Sequence, residues 1–128
     1  MNSHLFVLVV DDDPSVCTAV GRLLRSAGME TRTHVSGEEF LLDTLPREPD
    51  CLVLDVRMPG LSGPGLRDRL RKMGRRIPVV FITGNAVGEE TLGEGGEEIL
   101  RKPFGDQALI DAIPVSYTHL TLPTNREV

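Results

Sequence analysis

Three short runs in this chain are apolar at every position: FVLVV at 6–10, CLVL at 51–54 and VVFI at 79–82. None alternates apolar with polar residues, so none can form a strand with one face in water. Continuous apolar strands belong to parallel sheets whose two faces are both covered by helices. Each run also ends on polar chemistry: the first on Asp11, Asp12 and Asp13, the second on Asp55, the third on Thr83.

The intervening stretches carry helix signals. Asp13 suits an N-cap and Pro14 the first helical position; Val16, Val20, Leu23, Leu24 and Ala27 follow at helical spacing, and Gly28 can close the helix. Met29 to His34 reads as a modest strand. Ser36 and Glu39 form a capping box, with Val35 and Phe40 as its hydrophobic staple, opening a short helix through Leu42. Pro46 and Pro49 mark a loop before the 51–54 strand. The turn-rich RMPGLSG then leads to a third helix with Leu66, Leu70 and Met73 as its apolar stripe. Between Thr83 and Ile99 a further helix is expected to be short or frayed. It carries Gly88, Gly93, Gly95 and Gly96, and each interior glycine costs roughly 1 kcal/mol relative to alanine. Ile99 and Leu100 begin a last strand. Asp106 is expected to cap a final helix with Ala108, Leu109, Ile110 and Ile113 on its buried side, stopped by Pro114. Strands alternating with helices predict right-handed βαβ units and a parallel sheet.

The chain's 128 residues suffice for one hydrophobic core. A formal charge of −5 argues against direct nucleic-acid binding. The cluster Arg67, Arg69, Arg71, Lys72, Arg75 and Arg76 reads as the solvated face of the third helix. No apolar run approaches a membrane span and the N-terminus lacks a signal-peptide layout, so a cytoplasmic location is expected. Cys17 and Cys51 lie within apolar patterns and read as buried free thiols. His4, His34 and His119 have no second ligand at useful spacing.

In an open parallel sheet, function gathers beyond the carboxyl ends of the strands. Asp11, Asp12, Asp55, Thr83 and Lys102 would meet there. Two carboxylates 4 Å apart repel by about 4 kcal/mol at an effective dielectric near 20. Such a cluster is tolerable around a hard cation, Mg²⁺ first, with Lys102 as a further positive charge. Asp13 is left to cap the helix. Asp55, across the metal, is a candidate nucleophile toward a phosphoryl group whose oxygens would be met by Mg²⁺, Lys102 and the Thr83 hydroxyl. A different assignment starts from Asp11-x-Asp13, the opening of Mg²⁺-dependent aspartate-nucleophile phosphatases, with Asp11 as nucleophile and Asp13 as acid/base. Pro14 directly afterwards favours the helix cap.

VLVVDDDPSV, CLVLDVRMPGLSG, VVFITG and LRKPF closely resemble, in order and location, the receiver domain of bacterial two-component response regulators, over roughly residues 5–113. The style of PDCLVLDVRMPG, FITG and KPFGDQALIDAI is most similar to nodulation-type receivers, which usually precede a LuxR-type helix-turn-helix. The resemblance implies a flavodoxin-like α/β fold: a doubly wound five-stranded parallel sheet with helices on both faces. It implies that Asp55 accepts a phosphoryl group from a sensor histidine kinase. Asp11, Asp12, Asp55 and the backbone carbonyl of Arg57 would hold Mg²⁺, Thr83 would be the switch hydroxyl, and Lys102 the phosphoryl contact before a cis bond to Pro103. A DNA-binding output domain and a phosphorylation-dependent homodimer are implied as partners, with no enzymatic turnover beyond self-phosphorylation and self-dephosphorylation.

Two departures fall on the face that reads out the signal. The stretch from Thr83 to Lys102 is short by about three residues, close to one helical turn. Ile99 stands where the family usually has an aromatic residue, three positions before Lys102. A degenerate receiver that binds partners without switching is therefore a third reading. Finally, VSYTHLTLPT, within residues 114–128, reads as a translated transposon adapter from sequencing-library preparation. The native sequence is expected to stop near Ile113, cutting the receiver's last helix, and the remainder to be non-native.

Overall fold

The structure, a computed structural model, describes residues 5–84 and 98–113. Five strands are present: β1 Phe6–Val10, β2 Glu30–His34, β3 Cys51–Asp55, β4 Val79–Thr83 and β5 Glu98–Arg101. They form one parallel sheet in the order β2-β1-β3-β4-β5. The described helices are α1 Pro14–Ser26, α2 Gly37–Leu42, α3 Gly63–Lys72 and α4 Asp106–Ala112. The helix expected between Thr83 and Ile99, and the tail at 114–128, lie outside the described residues.

The uninterrupted apolar strands are explained by two cores, one on each sheet face. Phe6, Leu8, Val10, Leu52, Leu54, Val79 and Phe81 pack with Phe40, Leu66 and Leu70 of α2 and α3. Val7, Val9, Cys51, Val53, Val80 and Ile82 pack with Val20, Leu24, Leu109 and Ile113 on the other face. Successive strand side chains point to opposite faces, so every residue of β1, β3 and β4 is buried. Cys17 and Cys51 are both free and buried, as expected, and desolvation pushes the Cys51 thiol up to about 12.

Helix ends follow the sequence signals closely in α1 and α2. Asp13 accepts from the Ser15 N–H at 2.9 Å, and Pro14 occupies the first turn. At the far end Gly28 adopts φ +90° while the Met29 N–H reaches Leu24 O at 3.0 Å, a glycine-closed C-cap. Ser36 accepts from the Glu39 N–H at 3.0 Å; Glu39 Oε1 returns to the Val35 N–H at 3.0 Å rather than to that of Ser36. Val35 itself stays 42% exposed, so the expected staple with Phe40 buries little.

Four expectations are corrected. Met73 is not part of the α3 stripe: the helix ends at Lys72, Met73 is its C-cap and is 55% exposed. Arg67 is not on the solvated face; it is buried, with its guanidinium 5.4 Å from the Phe81 ring centroid and its Nε 3.0 Å from Asp68 Oδ1. Its aliphatic stem and planar head cover apolar surface that a shorter polar side chain would leave open. Asp106 does not cap α4: Gly105 is the N-cap without a side-chain bond, and Asp106 is the first helical residue. The buried side of α4 is Leu109 and Ile113 with Ala112 beside them, whereas Ala108 is exposed. Ile113 leaves the helix at φ −64°, ψ 129°, the extended conformation a following proline imposes.

Candidate functional site

Register decides which polar residues meet. β1 and β3 lie side by side with Val10 opposite Leu54, so Asp11 and Asp55 both emerge at the same rim. Asp55 stands opposite Ile82, placing Thr83 one residue further along on β4, and Thr83 stands opposite Arg101 on β5. The Lys102 N–H donates to Thr83 O at 2.8 Å, which starts the Lys102 side chain from this same rim. The Lys102–Pro103 peptide bond is cis. All five polar residues named from the sequence thus arrive at one end of the sheet.

Asp11 is fully buried and Asp55 nearly so, while Asp12 is exposed. Asp11, Asp12 and Asp55 each offer a carboxylate oxygen within 4.8 Å of the others, a set that could hold a metal ion. Lys102 Nζ lies 3.1 Å from Asp11 Oδ2 and 3.8 Å from Asp55 Oδ1. Asp11 Oδ1 is occupied by the Asp13 N–H at 2.9 Å. Asp11 Oδ2, although buried, receives no hydrogen bond of good geometry; the Lys102 ammonium meets it at ion-pair distance only. A buried carboxylate oxygen without a hydrogen-bond donor is costly unless a cation uses its lone pairs. The donor set is oxygen only, which suits a hard cation such as Mg²⁺.

The electrostatics agree with that need. Burial, the neighbouring Asp11 charge and a hydrogen bond that the protonated Asp55 donates to the Asp12 carboxylate push Asp55 up to about 7, against the opposing pull of Lys102 and the Arg57 backbone. Burial works against the Lys102 charge, but Asp11, Asp55 and Asp12 together outweigh it and hold its pKa above the usual lysine value. Asp13 behaves differently. Its carboxylate accepts from both the N–H and the hydroxyl of Ser15, the latter at 2.6 Å, and these bonds hold its pKa below the usual carboxylate range. A group so engaged at the helix start is poorly suited to exchange protons with a substrate.

One contributor went unread in the sequence. Gly63, the first residue of α3, donates its N–H to Val56 O at 3.2 Å, and a Cβ there would stand 2.4 Å from the Asp55 backbone oxygen. Only a glycine lets α3 start this close to the strand end that carries Asp55. The turn chemistry of RMPGLSG marked a loop, but nothing in its spacing identified which glycine touches the site.

A family model described as the response regulator receiver domain matches residues 7–114. Nodulation protein W of Bradyrhizobium diazoefficiens is 41% identical over 115 residues, covering 88% of this chain and 51% of that protein. The transcriptional regulatory protein FixJ of Azorhizobium caulinodans is 37% identical over 119 residues, covering 91% of this chain and 56% of FixJ. The chain therefore spans about half the length of the curated relatives it matches. Among solved structures, a response regulator receiver protein from Burkholderia phymatum superposes with a TM-score of 0.75 at 43% identity, covering 89% of this chain and 95% of that one.

Proposed function

The chain belongs to the response regulator receiver domain family, and from that premise we propose that Asp55 is its phosphoacceptor, loaded by a sensor histidine kinase. Its fold and family are those of a two-component response regulator's receiver, and its relatives are transcriptional regulators rather than enzymes. The observation that carries the residue assignment is the placement of the buried Asp55 carboxylate 3.8 Å from Lys102 Nζ and within 4.8 Å of Asp11 and Asp12 oxygens.

In this reading an Asp55 oxygen forms a bond to phosphorus as the phosphorus–nitrogen bond of a phosphohistidine breaks. The bonding pair leaves with the imidazole, which takes a proton from solvent. No general base is required once Asp55 is ionised. Mg²⁺ held by Asp11, Asp12, Asp55 and the Arg57 backbone carbonyl would supply positive charge against the phosphoryl oxygens. Lys102 Nζ, already between Asp11 and Asp55, would move to a phosphoryl oxygen. Thr83, buried at the end of β4, would present its hydroxyl to another and report the event to the neighbouring β5.

Downstream, the reading includes a DNA-binding output domain, homodimerisation on phosphorylation and a cytoplasmic location. It is supported by relatives printed as transcriptional regulatory proteins, of which this chain spans only 56%. Among the described residues no helix is long and apolar enough to cross a membrane. We also propose that the native sequence in this chain stops near Ile113, inside the receiver's last helix, and that the residues after it are adapter-derived. A loaded but weakly switching receiver is the second reading. It is favoured by Ile99, which is partly buried against the α2–α3 core where the family's pattern has an aromatic switch residue.

The test is chemical. Acetyl phosphate with Mg²⁺ should add one phosphoryl group to the wild type and none to Asp55→Asn, with borohydride trapping mapping the acyl phosphate to Asp55. Label on Asp11, with repeated turnover of a phosphomonoester, would overturn the assignment in favour of the phosphatase. Stoichiometric loading without a change in amide exchange over residues 98–104 would select the weakly switching form.

A further inference from the structure

The loop after Asp55 is held from an unexpected direction. Glu38, on the first turn of α2, extends its carboxylate to the Leu61 N–H at 3.1 Å, a contact between residues far apart in sequence. Its neighbour Glu39 has a different task, closing the capping box on the Val35 N–H at 3.0 Å. The loop side is shaped to receive Glu38. Gly60 adopts φ +76°, and a Cβ there would stand 2.7 Å from Glu38 Oε2. Leu61 also packs closely on the start of α2: its Cδ2 lies 3.0 Å from where a Cβ on Gly37 would be. Beyond Leu61, Ser62 caps α3 through the Gly65 N–H at 3.1 Å, and Gly63 touches the Asp55 backbone. The loop that starts at Asp55 and includes Arg57 is therefore pinned at its far end by one charged side chain from another helix.

We propose that Glu38 is a positioning residue for the phosphoacceptor site: by holding the Leu61 N–H it fixes the 56–62 loop, and with it the Arg57 backbone beside Asp55. This deepens, and rests on, the reading of Asp55 as phosphoacceptor. A carboxylate accepting from a backbone N–H is a charge-assisted bond, stronger than a neutral one. Glu38 is exposed, so its removal leaves no buried group unpaired and the fold intact. What it changes is the population of loop conformations able to present the Arg57 backbone, and hence the affinity of the acidic cluster for Mg²⁺.

The experiment compares Glu38→Ala, Glu38→Gln and Glu39→Ala with the wild type. Two quantities are measured: Mg²⁺ affinity by calorimetry, and metal-free amide exchange of the peptide containing Leu61. Glu38→Ala should weaken Mg²⁺ binding by about tenfold, the lower end of what loss of a supporting partner costs a metal site, and should speed Leu61 exchange. Glu38→Gln, which keeps an acceptor oxygen, should restore most of both. Glu39→Ala should lower the melting temperature through the lost cap while leaving Mg²⁺ affinity near wild type. Unchanged Leu61 exchange in Glu38→Ala, or equal loss of Mg²⁺ affinity in Glu38→Ala and Glu39→Ala, overturns the proposal. If the wild type shows no Mg²⁺ binding that Asp12→Ala weakens, the reading of the metal site fails, and the exchange arm still decides whether Glu38 holds the loop.

Discussion

Lys102 Nζ stands 3.1 Å from Oδ2 of the fully buried Asp11, and this pair organises the acidic rim. The ammonium offsets two carboxylates at once, since Asp55 Oδ1 is only 3.8 Å away. Lys102→Met should therefore destabilise the metal-free protein by roughly 1–2 kcal/mol, less than loss of a fully buried partner because water reaches one side of Lys102. Urea denaturation with and without Mg²⁺ checks this: the deficit should shrink when Mg²⁺ is present. A deficit that Mg²⁺ leaves untouched would mean that Lys102 acts through packing instead.

Asp55 gives the metal-free protein a distinctive pH dependence. Its pKa is raised from 3.8 to about 7 on folding, first by burial and then by Asp11. Between those values the folded state holds a proton that the unfolded chain has released. The corresponding stability is fully present below the unfolded pKa and is lost as pH rises through the folded one, at up to about 1.4 kcal/mol per pH unit. Asp55→Asn lacks this titration, so it should gain on the wild type from pH 4 to 7 and hold a constant lead above that. Parallel stability curves for the two proteins would contradict the placement of Asp55 in a buried, like-charged site.

Mg²⁺ should raise the melting temperature of the wild type at pH 7.5, because a ligand that prefers the folded state stabilises it. Asp12, the exposed member of the trio, offers the cleanest variant: Asp12→Ala should fold normally and show a smaller shift. Thermal scans across a Mg²⁺ titration make the comparison, and equal shifts in both proteins would count against the carboxylate cluster as the binding site.

Asp13 separates the two phosphoryl chemistries. As the α1 cap, bonded to the Ser15 N–H at 2.9 Å, it should cost a few degrees of melting temperature when replaced by alanine. Loading of Asp55 from acetyl phosphate should be unchanged in Asp13→Ala. A large drop in loading at a temperature where the variant is folded would instead mark Asp13 as a participant in proton transfer.

Much of this molecule was legible in its residue order. The continuous apolar runs demanded a sheet buried on both sides, because no register of such a strand keeps one face in water. Asp13 with Pro14 and Ser36 with Glu39 set two helix starts by local hydrogen bonding alone. The polar residues closing each strand could be listed as a site, since parallel strands all deliver their C-terminal ends to the same rim. Signals of this kind lie within a few residues of one another and survive without knowledge of the rest of the chain.

Other features depend on contacts between segments distant in sequence, which no local pattern encodes. Met73 looked like a core residue until the helix ended one residue before it, and Arg67 looked solvated until Phe81 came beneath it. Ala108 fell outside the α4 stripe because that helix turned Leu109 and Ile113 toward the sheet. Strand order brought Lys102 to Asp11 and left Asp11 Oδ2 without a hydrogen bond. The approach of α2 put Glu38 against Leu61, and the start of α3 made Gly63 indispensable beside Asp55. Sequence alone determined which chemical groups the strands would deliver; tertiary packing decided their distances and exposure, because those depend on how separately folded pieces meet in space.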